Sequence, residues 1–127
     1  MLLYEFGIAE EVTQSQLDQV EVFADKLFSK AGIDVEFTRH FAERMNDERN
    51  GKPISAGELV RLFKNTWGKF GRAMSQFPHN FEAVIHELAS DVNIPFVIND
   101  ERSGKKLVNK TIMRKKNFKT RNRKLEI

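Results

Sequence analysis

The chain contains no cysteine, which excludes disulfide bonds, thiolate metal ligands and thiol catalysis. That absence fits a reducing compartment without requiring one. Proline is scarce, at 3 residues in 127, and glycine numbers only 7, so a collagen-like or low-complexity chain is excluded. No apolar run approaches the ~18 residues that a membrane-spanning helix needs, so no membrane partner is expected. The opening MLLYEFGIAEE has no positive segment ahead of its short apolar one, and it is expected not to act as a secretory signal. The three histidines, His40, His79 and His86, lack metal-ligand spacing, and without cysteine no structural zinc site is expected. Glycine-rich phosphate loops, G-x-S-x-G elbows and H-E-x-x-H helices are missing as well. Neither a metal nor a cofactor is expected.

What remains is a globular composition, 40% hydrophobic and 31% charged, in a length that suits one domain. The net charge of +3 conceals an asymmetry. From Asp100 onward there are eleven basic residues against three acidic ones, while residues 1–99 hold ten against fifteen. An acidic body therefore carries a basic end. Two kinds of partner fit that layout: an external polyanion such as RNA, or the acidic body itself, in the same chain or in a second copy that forms a homo-oligomer.

Apolar spacing and capping residues predict the elements. Met1–Val12 is ambiguous, with Leu2, Leu3, Tyr4, Phe6 and Ile8 fitting a short strand or an apolar lead-in. Ser15–Ala31 reads as a helix with Leu17, Val20, Phe23, Ala24, Leu27, Phe28 and Ala31 on one face, capped by Thr13 or Ser15 and stopped at Gly32. Ile33–Phe37 reads as extended. Thr38 caps a second helix, Arg39 to about Asp47, with Phe37 stapling its entry. Ser55-Ala56-Gly57-Glu58 is a capping box ahead of a third helix, which carries Leu59, Leu62, Phe63, Thr66, Trp67 and Phe70 on one face and is expected to end at Gly71. Phe81–Asp91 fits a helix capped by Asn80 or a short buried strand, and its helix formers favour the helix. Ile94–Ile98 and Lys106–Arg114 form a hairpin, with Pro95 suggesting an edge strand or a strand start. The expected fold class is α+β: three or four helices packed on a small antiparallel β-sheet, with a C-terminal hairpin and a basic tail. Residues 1–116 would form the domain and 117–127 the tail.

Two groups of residues can carry function. On the second helix His40 and Arg44 are four apart and share a face. His40 suits general acid or base work, and Arg44 suits stabilisation of a phosphorane. Joined by Arg114 or Lys116, they would suffice for metal-independent RNA cleavage, in which the 2′-hydroxyl is the nucleophile. Surface ion pairing explains the same spacings without catalysis. The second group is the basic arm Lys115, Lys116, Phe118, Lys119, Arg121, Arg123 and Lys124, which suits salt-sensitive phosphate contacts with Phe118 stacking on a base. A solvated tail explains that composition equally. Trp67 reads as core.

The blocks FTRHFAERMNDERNGKPISAGELVRLF, NIPFVIND and KLVNKTIMRKKNFKT, spanning about Val35 to Thr120, resemble a group of small uncharacterised tailed-bacteriophage proteins. More distantly, the order of a His-x-x-x-Arg helix, a helix opening on Ile-Ser and a closing hairpin resembles the RelE/ParE/BrnT-like toxin fold. The first resemblance implies a protein of the infected host's cytoplasm or of the virion. The second implies a small sheet against helices and, in many members, ribonuclease activity. The chain departs from that pattern in lacking a tyrosine after Thr111 and in showing only two clear strands. A nucleic-acid-interacting protein, RelE-like nuclease included, is the leading expectation. A non-enzymatic protein that binds a host factor or assists virion assembly is the alternative.

Overall fold

A computed structural model of the chain describes residues 11–127, and the ambiguous opening with Leu2 to Ile8 lies outside them. Among the described residues three α-helices pack on one face of a mixed sheet: α1 (Gln14–Phe28), α2 (Arg39–Met45) and α3 (Ala56–Met74). The strands are β1 (Ile33–Phe37), β2 (Phe81–Glu87), β3 (Val92–Glu101), β4 (Gly104–Asn109), β5 (Met113–Arg114) and β6 (Arg123–Glu126), in the order β1-β4-β3-β2-β6 with β5 also against β3. No helix among the described residues is long and apolar enough to cross a membrane.

Each helix begins where its capping residue stands. The Thr13 side chain accepts from the Gln16 N–H while the Gln16 side chain accepts from the Thr13 N–H, and Ser55 and Glu58 form the same reciprocal box on α3. Thr38 caps α2 by accepting from the Phe41 N–H, and the Phe37 ring stacks on Phe41 at 4.5 Å. After α1 and one 3-10 turn, Gly32 takes the left-handed conformation at φ 73° and releases the chain into β1. The expected stop at Gly71 is wrong, since α3 continues to Met74. Gly71 is there for space: a Cβ would collide with the Trp67 ring, which lies over it and meets Phe28 edge-on at 5.3 Å. Trp67 is part of the core margin, as expected.

Phe81–Glu87 is a strand and not the favoured helix, paired along its whole length with β3. Asn80 sits at φ 65°, incompatible with the extended backbone of an N-cap. Ala83 and Ile85 enter the core under the helices, while Val84 and His86 are buried on the opposite face. A strand covered on both sides shows no alternation, and pairing overrides the helix propensity of its Glu and Ala residues.

The sheet is mixed where an antiparallel one was expected, because β1 runs parallel to β4 and β6 parallel to β2. The expected hairpin exists as β3–β4, yet it lies at the centre of the sheet and not at its C-terminal end. The stretch expected to trail off as a tail returns as β6, anchored by the fully buried Leu125. Pro95 is interior to β3, the central strand, where its carbonyl accepts from the Lys110 N–H at 2.9 Å. A residue in a strand points its nitrogen and its carbonyl the same way, so the missing Pro95 N–H faces the gap between β4 and β5.

That gap holds one residue more than the ladder needs. Phe96 lies opposite Asn109, but Asn93 lies opposite Met113 and Val92 opposite Arg114. Along the unbroken register Val92 would have faced Met113. The extra residue is a bulge, and it exchanges the faces of the two side chains that follow. Arg114 is turned to the helix side beside Val92, and Met113 to the other side.

Both sheet edges are closed by helix side chains. The outward N–H groups of β1 donate from Val35 to Asp25 at 2.8 Å and from Phe37 to Glu21 at 2.7 Å, both carboxylates belonging to α1. On the far edge Lys69 of α3 donates to the Glu126 carbonyl at 2.7 Å. Exposed edges template association between chains, so these contacts guard against it. Glu21→Ala with Asp25→Ala is expected to cost about 2 kcal/mol, each hydrogen bond to a charged group being worth roughly 1–1.5 when partly exposed. It should also promote self-association, measured by denaturant unfolding and light scattering. A double variant as stable and as monodisperse as wild type would refute the edge role.

Candidate nucleic-acid interface

Arg114 stands at the root of the basic stretch, and every one of its guanidinium N–H groups is engaged inside the protein. Nε donates to the Lys52 carbonyl, Nη1 to Glu58 Oε2 and the Ser90 carbonyl, and Nη2 to the Pro53 carbonyl and Glu58 Oε1, all at 2.9–3.0 Å. Guanidinium has five such donors, so none is left for a substrate phosphate. Its backbone N–H also donates to Asn50 Oδ1, while the Asn50 amide caps α2 through the carbonyls of Arg44 and Met45. Arg114 thus ties the loop before α3, the first turn of α3 and the β2–β3 turn to one point.

Burial raises the pKa of Glu58, but the hydrogen bonds and charge of Arg114 outweigh it, aided by the Ser55 N–H and by Arg61. The result is a carboxyl held below its ordinary value of 4.5. Nearby, Glu87 is almost fully buried and accepts from Arg61 at 3.0 Å and from the Ser90 hydroxyl. These two pairs line a cavity of about 1040 Å³ with Lys52 and Asn65. Its charges largely cancel, with Lys52, Arg61 and Arg114 facing Glu58 and Glu87.

Past Arg114 the chain crosses to the sheet face away from the helices. Asn93, buried on that face, donates through its amide to the carbonyls of Asp91, Met113 and Lys115, and its oxygen meets His86 Nδ1 at 2.7 Å. Lys115 in turn donates its N–H to the Asp91 carbonyl at 2.9 Å. Residues 115–122 then run back across β3 and β2 to reach β6 on the far edge. The arm is therefore held at both ends. Lys115, Lys116, Lys119, Arg121 and Arg123 are exposed, and Phe118 and Lys124 half-buried.

Charge pairing changes abruptly at this point. Lys105, Lys106, Lys110 and Arg114 each meet a carboxylate. Among the described residues, none of the six cations from Lys115 to Lys124 does. Among the described residues the arm makes no ion pair with the acidic body. Arg123 instead sits over the Phe77 ring at 6.0 Å.

The predicted trio is only partly assembled. Arg44 and Arg114 line a common cavity of about 370 Å³ with Asp47, Arg49, Met113 and Lys115. His40, one turn back along α2, is exposed and does not line it. His79 and His86 are elsewhere, His79 accepting from the Asp100 N–H at 2.8 Å. Arg49 and Asp47 were not expected at the site. Their signal was the Asn46–Arg49 string itself, since an Asp two residues before an Arg in a turn is placed to clamp it. No family model, curated protein or solved structure matches the chain.

Proposed function

We propose that the protein binds nucleic acid through the phosphate backbone, using the cations Lys115, Lys116, Lys119, Arg121, Arg123 and Lys124, and does so without cleaving it. The observation that carries this reading is the run of six basic side chains with no carboxylate partner among the described residues, on a segment anchored at both ends, directly after four that have one. Fixed cations bind a polyanion without the ordering entropy of a free tail. Phe118, between Asn117 and Lys119, is the one aromatic on the segment. Binding is favoured over cleavage because His40 lies outside the cavity that Arg44 lines, and Arg114, one candidate third member of that nuclease site, has each of its donors committed to the protein.

Fluorescence anisotropy with labelled single-stranded RNA and DNA tests this. For about six phosphate contacts the logarithm of the binding constant should fall with that of salt at a slope near −4. Replacing Lys115, Lys116, Lys119 and Arg121 by Ser should flatten the slope to roughly −1 to −2 and weaken binding more than tenfold at low salt. The strand should emerge intact. Absence of binding at ~50 mM salt, where such contacts are strongest, would refute the reading and favour an acidic host protein as the partner.

A further inference from the structure

The cavity beside Arg44 differs from the larger cleft in its charge. Its lining holds Arg44, Arg49, Lys115 and Arg114, the last already paired with Glu58, against one carboxylate, Asp47. Three of those cations arrive from different elements: Arg44 from the last turn of α2, Arg49 from the turn Glu48–Asn50, and Lys115 from the exit of β5. Asp47 sits where they meet. Its Oδ2 accepts from Arg44 Nη1 at 3.2 Å and from Arg49 Nη2 at 2.7 Å, and its Oδ1 from the Arg49 backbone N–H at 2.8 Å. Arg44 and Arg49 still have N–H groups beyond those used on Asp47, and Lys115 Nζ has no carboxylate partner among the described residues. Ile112 and Met113 also line it.

We propose that this cavity takes the terminal phosphate of a nucleic-acid strand, with Asp47 holding Arg44 and Arg49 in place while competing with the ligand for them. The inference rests on the polyanion reading of the arm and adds a specific subsite to it. Cations converging from three directions match a phosphomonoester, which presents three oxygens and close to two negative charges, better than a diester with one. A volume of about 370 Å³ is near the lower limit for small-ligand sites, sufficient for one nucleotide. Lys115 belongs both to the cavity and to the arm, so a strand end seated here continues onto the cations that follow.

The test compares 5′-phosphorylated and 5′-hydroxyl forms of one short oligonucleotide on the full chain by anisotropy. The phosphorylated strand should bind at least fivefold tighter. That ratio should fall to about one in Arg44→Gln/Arg49→Gln and rise in Asp47→Asn, each variant first shown to be folded by circular dichroism. Equal binding of the two strands by wild type, or an undiminished ratio in the double variant, overturns the proposal. If neither strand binds, the polyanion reading has failed, and the cavity is judged by titrating adenosine 5′-monophosphate against adenosine. Saturable binding of the nucleotide alone, lost in Arg44→Gln/Arg49→Gln, upholds the subsite, and equal or absent binding of both rejects it.

Discussion

Arg114→Ala is expected to destabilise the fold by about 3–5 kcal/mol, the range for removing one partner of a buried ion pair. The side chains of Arg114 and Glu58 are only 11% and 13% exposed, so the orphaned carboxylate cannot recover its hydration by reaching into solvent. Three carbonyls, those of Lys52, Pro53 and Ser90, lose their donor with it. Arg44→Ala provides the control. That side chain is 35% exposed and pairs with Asp47 at the surface, where the expected cost is below ~1 kcal/mol. Urea unfolding of the two variants against wild type decides the matter, and similar costs for both would remove the staple role.

The same variant has a signature in pH. Glu58 titrates below its ordinary 4.5 in the folded chain, so its stabilising contribution is fully present above that value and disappears as pH falls through the depressed one. Without Arg114 the largest remaining influence is burial, which raises the pKa and reverses the sign of the contribution. The stability gap between wild type and Arg114→Ala should therefore narrow on acidification from neutrality to about pH 3. A constant gap would mean that Glu58 is not the partner whose loss is being measured.

Gly104→Ala should cost about 3 kcal/mol, far more than the same change at Gly32. Gly104 closes the β3–β4 hairpin at φ +130°, and a Cβ there would stand 2.7 Å from the Gly32 carbonyl oxygen. That oxygen cannot retreat freely, because it accepts from the Lys105 N–H at 3.0 Å and starts the β1–β4 ladder. Backbone strain of ~1–3 kcal/mol and overpacking of similar size combine here. Gly32 has a positive φ of 73° but open space around it, so Gly32→Ala should cost only ~1 kcal/mol. Thermal unfolding of both variants separates contact from conformation, and equal shifts would show that the close approach does not matter.

The helices were legible because their signals are local. Thr13, Thr38, Ser55 and Gly32 each perform the role that their place before or after an apolar run implies. The strands that escaped detection depend on distant partners. β2 is buried on both faces, which erases the alternation that marks a half-buried strand. β6 has one fully buried side chain, Leu125, among charged neighbours, and only the parallel pairing with β2 identifies it. The cations of the arm were visible as composition. Arg114 was indistinguishable from Lys115 and Lys116 in sequence, and its separate role follows from the register opposite Val92.

That register has a consequence for how the chain can vary. Four residues, Lys110 to Met113, separate Asn109 from Arg114 where three separate Phe96 from Val92 on the facing strand, and the bulge that absorbs the extra one sets the guanidinium on the helix side. Losing one residue there would remove the bulge and leave Arg114 opposite Val92, whereas straightening the ladder at its present length would set Met113 opposite Val92 and turn Arg114 to the arm's face. Between Lys115 and Asn122, where the chain only bridges two anchored points, no such arithmetic applies. Insertions and deletions are therefore filtered before the bridge by whether Arg114 can stay opposite Val92 and within it only by reach, although the two segments are adjacent in sequence.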